Sequence, residues 1–332
     1  MENHPRYRSL FWPILLVGVG IAWLLSNLGI IQPINIGSLL KLWPVLLIVL
    51  GLDILFSRRY PWVGALVGFL AIGGVIAFLI ASPTLGIDAG PQTKTETFNT
   101  PINKTMMVEY LFETSSAPVE IKALENSKDL ISAEITHRGN MRFDVTGSIS
   151  KSIHLSEISD NSTWFSWDLS FDNLKWDIGL APAVASTIIL DGGSGSINMD
   201  LTGILLSSLR TDLGSGSSHI TLPVSITPYT VKIESGSGSV RLQLPEKTDV
   251  EMTLDSGSGS MNISIPHGAA LRIEVMDEGS GSLNLPDGLV KSTDSKSFSI
   301  GAWQTANYEK AVHKIVIKII NQGSGSLTIN EL

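Results

Sequence analysis

Residues 191–201 read "DGGSGSINMDL", and the letters GSGS inside them recur five more times along the chain. The copies begin at Gly193, Gly214, Gly236, Gly257, Gly279 and Gly323, spaced 21, 22, 21, 22 and 44 residues apart. Gly/Ser-rich stretches commonly serve as flexible linkers. A linker has no reason to keep a period, however, and the last gap is twice 22. Self-similarity on this scale marks a solenoid of stacked repeats.

Each repeat has the same grammar. One alternating stretch precedes the motif ("TIILD", "SLRTDL", "TVKIES", "VEMTLDS", "LRIEVMDE", "KIVIKIINQ") and another follows it ("INMDL", "HITLP", "VRLQLP", "MNISIP", "LNLP", "LTIN"). Period-two alternation turns one face inward and the other to water. The predicted inward set includes Leu209, Val231, Ile233, Met252, Leu254, Ile197, Met199, Leu242, Leu244, Ile263 and Ile265. Pro223, Pro245, Pro266 and Pro286 close the second stretch, where a fixed φ and a missing N–H suit a corner.

At the other corner stand Gly193, Gly195, Gly214, Gly216, Gly236, Gly238, Gly257, Gly259, Gly279, Gly281, Gly323 and Gly325. These glycines are expected to accept φ > 0 and so turn the chain abruptly. Stacking at ~4.8 Å would bring like corners into register, with serines bonding backbone or the serine above. The 44-residue gap reads as one repeat lacking the motif, with extra residues around 297–313. The expected fold class is thus an all-β C-terminal domain over 98–332. It is a single-stacked β-solenoid with GSGS corners, most regular at 187–332.

Two residues before each motif lie Asp191, Asp212, Glu234, Asp255, Asp277 and finally Asn321. Stacked, they form an acidic column. Calcium-binding β-rolls use a Gly-rich repeat of similar look, but theirs recurs every nine residues or so. Solvated corner carboxylates, with Arg210 and Lys232 nearby as neutralising cations, are the favoured reading.

Residues 98–190 read as the same architecture without the glycine punctuation. They contain the aromatic cluster "WFSWDLSFDNLKW" (164–176). Trp164, Trp167 and Trp176 are candidates for contact with a glycan, lipid or protein partner. The competing reading has them capping an open end of the stack or packing under a loop.

The first 82 residues differ in kind. Apolar stretches at 10–31, 39–56 and 61–81 are each near the ~20 residues that cross a bilayer, so three transmembrane α-helices are expected. Trp12-Pro13 and Trp43-Pro44 stand 31 residues apart and read as helix entrances. Arg6 and Arg8 precede the first helix, and Arg58 and Arg59 fill the loop after the second. The positive-inside rule then places the N-terminus in the cytoplasm and, after three crossings, the C-terminal domain outside a plasma membrane. Residues 83–97 are Pro/Gly/Thr-rich and read as a linker.

Charge and chemistry narrow the function. The first 82 residues carry five Lys/Arg against two Asp/Glu, so the remainder of a chain of net charge −8 carries −11. That balance disfavours a nucleic-acid partner. There is no cysteine. The six histidines lack metal-ligand spacing, and no nucleophile elbow, P-loop or zinc-protease motif is present. No enzyme activity, cofactor or metal is expected.

The stretch "LFWPILLVGVGIAWLLSNLGI…LWPVLLIVLGLDILFSRR" resembles the membrane region of LiaF-type bacterial proteins, which are linked to the response to cell-wall-active antibiotics. The section from "WDLSFDNLKW" to "HITLP" is similar to the C-terminal domain of that group and to toast-rack and adhesin-like β-solenoids. The resemblance implies a membrane-anchored, non-enzymatic regulator acting with a histidine kinase. This chain departs from the group in having three apolar stretches where four helices are usual, and Ser-rich corners where Gly-Ala-Gly is common. A surface adhesin-like binding module for glycan or protein, and a scaffold that self-assembles into homo-oligomers through open stack ends, are the alternatives.

Overall fold

Alternation such as that in "YTVKIES" has one physical outcome in an extended chain, and the computed structural model shows it: Tyr229, Val231 and Ile233 are buried while Thr230 faces out. The structure describes residues 93–125, 127–158, 174–277, 279–292 and 300–332, with scattered positions in the first 82. The three expected transmembrane helices lie almost wholly outside these residues. Their described positions, at 16–18, 20–21, 24, 47, 51, 69–70 and 73–74, are helical. Among the described residues no helix is long and apolar enough to cross a membrane.

The described part of the C-terminal domain is all-β. It opens with β1 (Lys94–Pro101), β2 (Met107–Thr114), β3 (Val119–Ala123), β4 (Asp129–His137), β5 (Asn140–Gly147), β6 (Ser150–Ile158) and β7 (Lys175–Leu180). The regular repeats follow as β8 (Ala185–Gly192), β9 (Ile197–Asp200), β10 (Leu206–Leu213), β11 (Ser217–Thr221), β12 (Tyr229–Ser235), β13 (Ser239–Gln243), β14 (Val250–Asp255) and β15 (Ser260–Ile265). The chain closes with β16 (Leu271–Val275), β17 (Ser282–Asn284), β18 (Val290–Lys291), β19 (Gly301–Gln304), β20 (Ile315–Asn321) and β21 (Ser326–Glu331). A 3-10 turn at Tyr308–Lys310 precedes β20.

Two sheets share one core. The ten-stranded sheet runs β1-β4-β7-β3-β9-β11-β13-β15-β21-β17, and the eleven-stranded sheet β18-β19-β16-β20-β14-β12-β10-β8-β2-β6-β5. Each GSGS repeat gives one strand to each sheet, and successive repeats pair in parallel and in register. Leu209 lies beside Ile188 and Val231, and Ile220 beside Met199 and Leu242. Every residue of the predicted inward set is buried. Like residues therefore stack on like residues, and both inner faces fill with Ile, Leu, Val and Met.

Spatial order departs from sequence order at both ends. The final repeat does not stack last. β20 sits between β14 and β16, and β21 between β15 and β17. The 44-residue gap is therefore not a repeat that lost its motif. Between β17 and β20, strands β18 and β19 instead extend the edge of one sheet beyond β16 in antiparallel pairing. The reason is burial. "IVIKII" is among the most apolar strands of the chain, and inside the stack Ile315, Ile317 and Ile319 are at most 4% exposed. The three-residue β17 is left as the edge, and a short edge offers little to pair with.

The other end mirrors this. β2 lies between β6 and β8, and β3 between β7 and β9, so the earliest repeat is also one place in from the end. The antiparallel strands β1, β4 and β5 cover the rungs beyond it. Among the described residues, 98–190 thus share the stacked architecture only in β2, β3, β6, β7 and the start of β8. The linker read over 83–97 also ends early, because β1 already pairs with β4 from Lys94 onward.

Candidate functional site

The GSGS corners form one column. In spatial order it runs from Ser115–Ala117 through the motifs at 193, 214, 236, 257, 323 and 279. A Cβ built on any of the twelve motif glycines would fall on backbone of the adjacent corner, such as the Gly195 carbonyl oxygen for Gly216. Backbone bonds tie the corners together, for example Ser258 N–H to the Gly236 oxygen at 2.9 Å and Ser324 N–H to Gly257 at 3.0 Å.

This corrects the expected role of these glycines. Only Gly257, Gly279 and Gly323 have φ in the left-handed region, at 59°, 57° and 70°. The motif demands glycine because neighbouring backbones approach too closely for a side chain. Serines bond across the column in places: Ser239 to Ser217 at 3.1 Å and Ser324 to Ser258 at 3.2 Å.

Beside the corners the acidic column is real. Asp191 sits between Glu113 and Asp212, and Glu234 lies between Asp212 and Asp255. Partial desolvation, and then the charges of Asp212 and Glu113, raise the Asp191 carboxyl above its ordinary range. The Lys232 hydrogen bond foremost, with Arg210 at 3.7 Å, lowers that of Glu234. Asn321 stands where a carboxylate would repel, and donates to Asp255 at 3.1 Å. Among the described residues no group of three His, Asp or Glu is placed to hold a metal ion. The column is a set of charges relieved locally.

The two outward faces differ. On the eleven-stranded sheet, Lys232 pairs with Glu234, Lys318 with Glu251, and Arg272 with Glu274 at 2.7 Å. On the ten-stranded sheet, charge concentrates at β3 and β7. There Lys122 reaches Asp177 at 3.2 Å and Lys175 reaches Glu120 at 3.1 Å. Beyond them the outward residues are mostly amides and hydroxyls. One row runs Asn198, His219, Arg241, Asn262, Thr328 and Asn284. The next runs Asp200, Thr221, Gln243, Ser264 and Asn330. Sequence reasoning followed the inward half of the alternation and left this face unread. The signal lay in plain view, at the second and fourth positions after most of the motifs.

Trp176 is not a surface residue. It is fully buried on β7, against Ile135 of β4, and its indole N–H has no partner. Its place in "NLKWDIGL" is the inward phase of a strand, and that phase overrides the aromatic clustering. The structure therefore removes it from the partner-binding candidates. Trp164 and Trp167 lie outside the described residues. A cleft at the opposite corner edge is lined by Lys247, His267, Asn307 and His313. His267 pairs with Glu331 at 3.0 Å and His313 with Asp249 at 3.6 Å, fastening the last repeat to its neighbour.

Comparison with known proteins places both parts of the chain. Residues 89–243 match the family model described as the N-terminal domain of toast_rack, DUF2154, and residues 10–55 match the LiaI-LiaF-like transmembrane region. Among solved structures, a candidate cell adhesion protein from Clostridium sporogenes ATCC 15579 is 16% identical, with a TM-score of 0.45, over 73% of this chain and 100% of its own. A candidate adhesin from Bacteroides fragilis NCTC 9343 is 13% identical, with a TM-score of 0.30, over 73% and 99%. No curated protein matches the chain. The chain thus carries a stretch similar to the LiaI-LiaF-like transmembrane region followed by one similar to the N-terminal domain of toast_rack, a combination that supports a membrane-associated, β-rich protein and comes from families that are non-enzymatic in kind.

Proposed function

We propose that this is a bacterial, multi-pass plasma-membrane protein that holds a β-solenoid at the cell envelope. It acts there, without enzymatic activity, as a sensor and regulator or as a scaffold in the envelope-stress response. The observation that carries the reading is the joining of a matched transmembrane region to a domain of parallel, in-register repeats. A stack of this kind makes a long, stiff surface whose parts move together, which suits display and coupling. Three crossings within 1–82 would put the N-terminus in the cytoplasm and the solenoid outside, tethered by a linker that ends at Lys94. A membrane histidine kinase is the partner suggested by the resemblance to LiaF-type proteins.

The test uses the absence of native cysteine. In a strain lacking the gene, chains with a single cysteine at Asn35, Ser57 or Ser237 are expressed and treated with an impermeant thiol reagent. Labelling is expected at Asn35→Cys and Ser237→Cys but not at Ser57→Cys. The same strains should regain an altered transcriptional response to cell-wall-active antibiotics. Protection of Ser237→Cys in intact cells overturns the topology, and a response indifferent to the gene overturns the regulatory role.

A further inference from the structure

On one face of the stack the outward charges are paired with each other, and in the middle of the other face several long polar side chains are not. At the edges of that second face, Asn284 donates to Thr328 at 3.3 Å and Asp200 accepts from the Thr202 N–H at 3.0 Å. Over β12, β14, β16 and β20 the outward cations and carboxylates are ion-paired. Over β9, β11, β13 and β15, the side chains of Asn198, His219, Arg241, Gln243 and Asn262 have no protein partner among the described residues. All five are exposed. We propose that this outer face of the ten-stranded sheet binds a linear, uncharged polysaccharide lying along the stacking direction. The proposal rests on the preceding reading only for bringing the face to the cell envelope.

Four features select this occupant. A free carboxamide offers two donors and an acceptor, which matches the hydroxyl and acetamido groups of a sugar. In-register pairing repeats these groups in rows ~4.8 Å apart, a spacing comparable to one pyranose ring in an extended glycan. Over β9, β11, β13 and β15 the two rows carry only Asp200, His219 and Arg241 as ionisable residues. Where the rows continue onto β3, Glu120 and Lys122 are ion-paired with Lys175 and Asp177, so the face neither attracts nor repels a polyanion strongly. Among the described residues these strands also expose no large apolar or aromatic anchor on this face. A protein partner is held chiefly by such anchors at the centre of an interface, and a lipid surface requires apolar area. Hydrogen bonds made in competition with water are individually weak, so binding depends on many successive sugars. A polymer is the ligand, and a monosaccharide is not.

The experiment uses the full-length protein in detergent micelles, co-sedimented with insoluble chitin and, separately, with insoluble cellulose. Retention on at least one polymer is expected, and which one identifies the source of the glycan. Monosaccharide should not compete. The triple substitution Asn198→Ala, Gln243→Ala and Asn262→Ala should lower the bound fraction at least tenfold with the circular dichroism spectrum unchanged. Lys318→Ala with Glu251→Ala, on the opposite face, should leave it unaltered. The assignment is overturned by no retention on any polymer, or by equal retention of the triple variant. Equal loss in the opposite-face control overturns it too. Each of those results leaves the cysteine-labelling outcome untouched, so failure of the glycan face and failure of the membrane-display reading are separable.

Discussion

Replacing Gly216 by alanine would set a methyl group against the Gly195 carbonyl oxygen of the next corner, and that oxygen belongs to backbone held from both sides. Relief requires the corners to part. Gly216→Ala is therefore expected to destabilise the domain by about 1–3 kcal/mol, the usual cost of overpacking. Ser215→Ala, at an exposed position one residue away, should stay within about 0.5 kcal/mol. Equilibrium denaturation of both variants decides it, and equal effects would mean that the corners are looser than the structure shows. The neighbouring carboxylates give a second residue-scale expectation. Asp191 is raised in the folded state, so folding takes up protons there, and stability falls as pH rises through the interval above the ordinary carboxylate value. Asp191→Asn should stabilise the protein at neutral pH, and the gain should vanish in acid. Glu234 is lowered, so its contribution is present at neutral pH and is lost as pH falls. Glu234→Gln should be destabilising at neutral pH and indistinguishable from the parent in acid. Denaturation midpoints across pH 3–8 would show the two differences with opposite sign.

At the scale of elements, the informative fact is that the last strands in sequence are not the last in space. Ile317 on β20 packs between Met252 and Ile273 in register, and is fully buried. Ile317→Ala should cost about 2–5 kcal/mol. Because β20 touches strands from two other repeats, limited proteolysis should open Val250–Asp255 and Leu271–Val275 together with the C-terminus. Leu283, on the three-residue edge strand β17, is only half-buried, and Leu283→Ala should cost less and leave β14 protected. Cleavage confined to residues after 313 in the Ile317 variant would contradict this coupling. The element scale also bears on self-association. Antiparallel strands β1 and β5 are outermost at one end, and β18 with β19 extends one sheet at the other. The edges are short at the end formed by β17 and β18, so end-to-end pairing through that end has little to use. At the other end β1 and β5 each leave an eight-residue edge.

At the scale of the molecule, the period of about 21.5 residues was enough to derive strands, corners, inward residues and the acidic column, since all of these follow from local alternation repeated in register. Val231, Met252 and Ile263 were legible as core because a two-residue period leaves a strand only two phases. The glycines were legible as corners, but the cause of the requirement was not, because a neighbour 21 residues away supplies it. Trp176 was misread for a related reason: its aromatic neighbours in sequence are a weaker guide than the phase of β7. The candidate glycan face was present in the sequence as the outward half of the same alternation. Whether its amides were free or spent on neighbours depended on which strands lie side by side.

The sequence by itself thus determined a repeating all-β domain behind an apolar membrane segment, because periodicity and hydropathy are properties of a chain read locally. Only the tertiary structure decided the order of the rungs, the closure of the ends and the pairing of the surface charges. Nothing local in "IVIKII" says which two strands will flank it. That choice compares the apolar area buried by every possible neighbour at once, and the comparison exists only when the whole chain has packed.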